Sequence, residues 1–158
     1  MIPEDDPAAP QQAGTEAWES FANGGLYCAE SVLMALARRQ GIATDNMVPL
    51  ATGFCSGIAR TKGMCGAVSG AVMGLGLVFG RRKPTDSREP TYQAVRTLLD
   101  RFTAEFGSTN CFELLGCDLA TEEGQREFRQ RHLLSNCQRY VRRATELAAE
   151  ISPVGTKK

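Results

Sequence analysis

The sequence has no excess of charge of either sign, and this absence limits the kinds of partner that the protein can bind. Its 158 residues carry 18 basic and 18 acidic side chains, so the formal net charge is zero. A nucleic-acid-binding protein needs a basic face, and the one basic cluster, residues 81–83, is too small to supply it. We therefore expect no nucleic-acid partner.

We also expect no secretory signal, because no basic segment precedes an apolar one near residue 1. The first fourteen residues contain three prolines and three acidic residues, a composition typical of disorder. We expect residues 1–14 to form a disordered tail and the protein to be cytoplasmic.

The sequence has six cysteines but no C-x-x-C pair, and its closest two are Cys111 and Cys117. Zinc fingers and thioredoxin-like sites use tight pairs, so neither is indicated. Without C-x-x-C-H, covalent c-type haem is excluded. Cytoplasmic reductants disfavour structural disulfides, which favours metal binding or redox chemistry for these cysteines. The alternative is that some are only small buried apolar residues.

No stretch alternates polar and apolar residues with the period of a β-strand. Apolar spacing and helix-ending signals instead predict helices over residues 15–21, 27–40, 92–106, 122–132 and 135–151, a short helix and loop over 45–59, and one helical turn at 111–118. Tyr92 should lie on the apolar face of its helix. Ser135 and Gln138 resemble a capping box that starts the last helix.

These elements predict an all-α fold, a compact bundle of five or six helices around a glycine-rich central helix. Residues 15–151 should form one domain, and residues 152–158 a C-terminal tail.

The central helix is predicted from residues 63–80, which contain six glycines and no charged residue. Its 18 residues are at the lower limit for crossing a membrane. Gly66, Gly70 and Gly74 recur every four residues and form one smooth helix face, which allows another helix to approach closely. We interpret the segment as a buried helix rather than a membrane span. The face could receive a helix of the same chain or, in a homodimer, its own copy.

Four cysteines stand at predicted helix starts: Cys28, Cys65, Cys111 and Cys137. Free N–H groups and the helix dipole favour a thiolate there and should lower the cysteine pKa. Four such cysteines on separate helices could meet in the core of a bundle.

The segment "CGAVSG" at residues 65–70 matches the CGAxxG motif of the redox-active family named for its C-GCAxxG-C-C pattern. "YCAESVL", "GAVMGLGLVFG", "RFTAEFGSTNCFELLGCD" and "CQRYVRRATELAAEI" resemble the family's other segments in the same order. The resemblance covers about residues 21–151. It implies that Cys28, Cys65, Cys111 and Cys137 are the family cysteines, whereas Cys55 and Cys117 lie outside the pattern. A related domain resembles part of the split-Soret cytochromes, in which an iron–sulfur centre is implied.

Three functions remain open. The four cysteines could hold a [2Fe–2S] or [4Fe–4S] cluster for electron transfer to a partner protein, with Gly66 and Gly70 lining the cofactor site. They could instead exchange dithiol and disulfide without metal. A helical interaction module with zinc-bound or buried cysteines is the third alternative.

Overall fold

The structure is a computed structural model that describes residues 9–155. The helices are α1 (Ala9–Ala22), α2 (Cys28–Arg39), α3 (Met47–Thr52), α4 (Cys55–Arg60), α5 (Gly66–Phe79), α6 (Glu89–Phe106), α7 (Cys111–Leu115), α8 (Glu122–Gln130) and α9 (Leu134–Ile151). Residues 9–155 contain no strand, and a single isolated bridge pairs Met64 with Asn110. The all-α prediction is confirmed.

Helix α5 lies at the centre of the bundle, where it contacts α2, α4, α6 and α9. Ala67, Val68, Ala71 and Leu75 on this helix are fully buried, and burial of apolar side chains is the main stabilising term of such a core. Across the described residues no helix is long and apolar enough to span a membrane. The interpretation of the glycine-rich segment as a central buried helix is therefore confirmed.

The smooth face of α5 packs against α2 of the same chain. A Cβ built on Gly70 would lie 2.7 Å from the carbonyl oxygen of Ala29, and one built on Gly74 would overlap Leu36. The glycines thus let the two helix backbones meet where any side chain would hold them apart. Because α2 occupies this face, it is not free to pair with a second copy, and the oligomeric state stays a prediction.

The first helix begins earlier than predicted. Residues 9–14 belong to α1, so the prediction of a disordered tail is wrong for them; residues 1–8 lie outside the described residues. The reason is tertiary packing: Ala13 and Ala17 are buried, and Gly14 lies 3.1 Å, measured from its ideal Cβ position, from the carbonyl oxygen of Arg142 on α9. Polar composition suggested disorder, but one small-residue face is enough to dock this segment.

Three local details also differ from prediction. Tyr92 is 47 % exposed, so α6 buries a narrower face that includes Leu98 and Phe102. Ser135 does not cap α9, because the helix already starts at Leu134 and Ser135 lies inside it. The hydroxyl of Ser135 donates to the carbonyl oxygen of His132. Ser152, assigned to the C-terminal tail, is buried, and its carbonyl oxygen accepts from Arg39 and Gln40 at the end of α2.

The predicted short helix and loop over residues 45–59 consists of α3 followed by a left-handed turn. From Ser56 to Arg60 the φ angles lie between 52° and 68°. Left-handed backbone is rare for residues with a Cβ, and only Gly57 in this run favours it. The turn brings Gly57 against Cys111, because a Cβ on Gly57 would lie 2.6 Å from Cys111 Cβ.

Candidate functional site

Each of the four family cysteines stands at the start of a helix, as predicted. Cys28 and Cys111 are the first residues of α2 and α7, Cys65 is the residue that precedes α5, and Cys137 lies in the first turn of α9. The site is therefore built from helix ends that come from four separate parts of the chain.

Two of these helix starts are joined by backbone hydrogen bonds. The N–H of Cys65 donates to the carbonyl oxygen of Thr109 at 2.8 Å, and the N–H of Cys111 donates to that of Gly63 at 2.9 Å. Asn110 strengthens the link, because its side chain accepts from the N–H of Glu113 and donates to the carbonyl oxygen of Lys62. Asn110 thus caps α7 and fixes it beside the start of α5.

All four family cysteines line one cavity of about 480 Å³. Its wall is otherwise mainly apolar, and Arg60 and Arg129 are the charged residues that line it. The apolar and aromatic lining residues are Phe21, Leu26, Tyr27, Ala67, Leu114, Leu115, Leu119, Phe128, Leu134 and Tyr140. A concave, mostly apolar cavity with a few convergent reactive groups is the usual form of a cofactor or ligand site.

The structure describes all six cysteines, and each is a free thiol. Among the described residues, no three Cys, His, Asp or Glu side chains are grouped closely enough to hold one metal ion. Tetrahedral zinc requires sulfurs at about 2.3 Å from a single point. The four thiols are instead distributed around the cavity wall.

The prediction of lowered cysteine pKa values is wrong in sign for Cys65, Cys111 and Cys137. Burial raises the pKa of Cys65 to about 11, although the N–H groups of Val68 and Ala67 act in the opposite direction. Burial also raises the pKa of Cys111 to about 11, and repulsion from Cys117 adds to this. The helix ends are oriented as expected, but loss of hydration outweighs them in an apolar cavity.

The pKa of Cys137 is raised to about 12, first by burial and then by Cys65, Cys111 and Cys117. The mutual effect of these cysteines follows from their closeness, since like charges disfavour ionisation. Without a bound cation, Cys65, Cys111 and Cys137 are neutral thiols at neutral pH.

A fifth cysteine, Cys55, lies beside this group, and no role was assigned to it from the sequence. The side chain of Cys55 is in hydrogen-bond contact with that of Cys28, which raises the pKa of Cys55, and burial raises it further. The N–H groups of Glu30 and Ala29 at the start of α2 act in the opposite direction, and the Cys55 sulfur donates to the carbonyl oxygen of Ala51 at 3.7 Å. No spacing rule connects Cys55 with Cys28, so only the fold reveals this pair.

The two glycines predicted to line a cofactor site have different surroundings. Gly66 lines the cavity, and a Cβ on it would overlap the Cys28 sulfur. Gly70 packs against Ala29 and Val32 on α2 and serves helix packing. Cys117 is buried beside α7 and is not among the residues that line the main cavity.

The protein is therefore an all-helical domain whose candidate site consists of four cysteines. These cysteines come from separate helix starts and line one apolar cavity. The chain belongs to the family described as "Putative redox-active protein (C_GCAxxG_C_C)", whose model matches residues 26–151. The resemblance found in the sequence is thereby confirmed.

One relative is an uncharacterized protein of Archaeoglobus fulgidus. It is 30% identical over 130 residues, which cover 76% of this chain and 80% of the relative. No solved structure matches this chain.

Proposed function

We propose that this protein transfers electrons through an iron–sulfur cluster bound by Cys28, Cys65, Cys111 and Cys137. The observation that carries the proposal is that these four free thiols line one cavity. Four cysteine thiolates are the usual ligand set of [2Fe–2S] and [4Fe–4S] clusters, so the residues present fit the group.

The distribution of the thiols favours a cluster over a single ion. A cluster spreads its ligands over several irons, so its cysteines need not surround one point, whereas zinc requires that they do. Metal binding would release the protons of these thiols, because a bound metal deprotonates its thiol ligands.

The chain would contribute binding, solvation and tuning, while the cluster would supply one-electron transfer. The apolar wall restricts water around the buried sulfur of Cys65. The N–H groups of Ala67 and Val68 at the start of α5 act to lower the pKa of Cys65, against the larger effect of burial, and N–H groups close to cluster sulfurs make a reduction potential less negative.

The cavity opening suggests where a redox partner protein would bind. Tyr27 and Leu134 line the cavity and are 63% and 50% exposed, and Arg60 and Arg129 line it as well. An apolar centre with basic residues is suited to a partner that presents acidic side chains around an apolar patch.

Anaerobic reconstitution tests the cluster. We expect brown protein with iron and sulfide in near-stoichiometric amounts, and an electron paramagnetic resonance signal after reduction or oxidation. Replacing any one of the four cysteines by serine should lower iron content by about tenfold or more.

Cys117→Ser is the matched control, because Cys117 is a buried thiol that does not line the cavity. It should bind as much iron as the native chain. Colourless, iron-free native protein after careful reconstitution would remove the proposal. Equal iron loss in Cys117→Ser would show that the thiols are not distinguished as proposed.

A further inference from the structure

Cys55 makes contacts that the four-cysteine site does not require. It is 7% exposed, its Sγ donates to the carbonyl oxygen of Ala51 at 3.7 Å, and Cys28 packs against the buried cluster that contains it. Gly66 lies next to both residues. A Cβ on Gly66 would overlap Cys28 Sγ and lie 3.2 Å from Cys55 Cα. The absent side chain leaves room for the two cysteines to face each other.

A buried carboxylate fixes this arrangement. Glu30 is 4% exposed; one of its oxygens accepts from the N–H of Tyr27 at 2.8 Å, and the other accepts from the hydroxyl of Thr52 at 2.7 Å. The start of α2 is thereby fastened to the end of α3, three residues before Cys55. The two sulfurs are held together by the fold and do not depend on a chance approach of mobile segments.

The two cysteines differ in access. Cys28 lines the cavity and is partly exposed, whereas Cys55 is buried and does not line it. A small oxidant that enters the cavity therefore reaches Cys28 before Cys55, and Cys55 is a thiol beside Cys28 that can react with the product.

We propose that Cys28 and Cys55 form a reversible disulfide that withdraws Cys28 from the cluster ligands. The regulatory part of this inference rests on the proposed function, since it concerns loading of the same site. The pairing itself does not depend on iron.

The oxidant is a low-molecular-weight disulfide, and the exchange is balanced. The Cys28 sulfur, as thiolate, attacks one sulfur of the small disulfide; a bond to Cys28 forms, the small disulfide bond breaks, and the leaving thiolate takes up the proton released by Cys28. The Cys55 sulfur then attacks Cys28, and the second small thiol leaves with the proton of Cys55. Two protein thiols are oxidised to one disulfide, and one small disulfide is reduced to two thiols.

Peptide mapping of the iron-free, full-length protein tests the pairing. After treatment with oxidised glutathione and alkylation of the remaining thiols, the protein should carry four alkyl groups rather than six and should lack the two thiol hydrogens lost to one disulfide. Trypsin cuts after Arg38, Arg60 and Lys62, so Cys28, Cys55 and Cys65 lie on separate peptides. The expected product is the Cys28 peptide joined to the Cys55 peptide.

Two variants sharpen the test. Cys55→Ala should stop at the first step and retain glutathione on Cys28, because the resolving thiol is missing. Cys117→Ala, which removes another buried cysteine outside the family pattern, should form the same Cys28–Cys55 link as the native chain.

Cluster loading is the second readout. Oxidised native protein should take up about tenfold less iron than reduced protein and recover on reduction, whereas Cys55→Ala should load equally well after reduction of its glutathione adduct. If reduced native protein never binds iron but the link forms, the proposed function fails and the pairing stands.

The pairing is overturned if the native chain forms no link, or links Cys65, Cys111 or Cys137 instead. Normal loading of protein that carries the Cys28–Cys55 link would overturn its regulatory role. Mapping of the native chain decides the pairing even if Cys55→Ala fails to fold.

Discussion

Gly57 is constrained both by its backbone conformation and by its contact with Cys111. Its φ is 68°, within a run of left-handed residues, and it packs directly against Cys111. A residue with a Cβ loses about 1–2 kcal/mol in that conformation, and four of the five residues from Ser56 to Arg60 have one. Hydrogen bonds hold the turn closed: the carbonyl oxygen of Gly57 accepts from the N–H of Gly63 at 2.8 Å. Strain of this kind is found where the surrounding structure fixes a functional group.

Gly57→Ala should therefore destabilise the protein by about 2–4 kcal/mol, because it combines left-handed strain with a forced contact. The new Cβ would lie 2.6 Å from Cys111 Cβ, so Cys111 must move and iron content should fall as well. Chemical denaturation and iron analysis measure the two effects.

Gly53→Ala is the matched control for this change. Gly53 has a φ of −67° and open space at its Cβ position, so its substitution should change stability by no more than about 0.5 kcal/mol. Equal effects of the two substitutions would contradict the role given to Gly57.

At the scale of helices, the sequence predicted which side of a helix is buried better than it predicted which other helix packs against that side. Four-residue spacing identified the Gly66, Gly70 and Gly74 face, because helical periodicity is a local property. It left open which helix would use the face, since a stripe of small residues accepts any helix that fits. Contacts of Gly70 with Ala29 and Val32 identify α2 of the same chain. The turn after Cys55 could not be predicted either, since only one glycine in five residues signals its handedness.

Gly70→Ala tests the contact between α5 and α2. The added Cβ would lie 2.7 Å from the carbonyl oxygen of Ala29 and 2.9 Å from Val32 Cβ. Backbone cannot yield cheaply, so we expect a loss of about 1–3 kcal/mol in the free energy of unfolding. Gly76→Ala on the same helix meets no atom within 4 Å and should gain up to about 1 kcal/mol from helix propensity. Urea unfolding of both variants measures the difference, and two losses of equal size would refute the packing argument.

At the scale of the whole molecule, the four family cysteines were predictable and their ionisation was not. Their positions at helix starts were predicted from the local sequence, and the family resemblance selected the same four residues. Their meeting at one cavity depends on long-range contacts, among them the hydrogen bond from Cys65 to Thr109. The sign of the pKa shifts depends on burial, which only the assembled bundle determines. The same reasoning explains why Cys55 was assigned no role from the sequence.

Burial of the thiols makes the stability of the iron-free protein depend on pH. Cys65 has a pKa of about 11 in the folded protein against an ordinary value of 9.0, so between these values the unfolded chain releases a proton that the folded chain keeps. The contribution of the neutral Cys65 thiol to the free energy of unfolding is fully present below about pH 9. It is lost as pH rises through 11, and the loss is about 2–3 kcal/mol for this residue. Cys65→Ala should lose correspondingly less over the same range, and because Cys65 also raises the pKa of Cys137, its removal should reduce the loss further. Urea denaturation under reducing, chelating conditions from pH 8 to 11 measures the slopes, and parallel curves for the two proteins would contradict the buried neutral thiol.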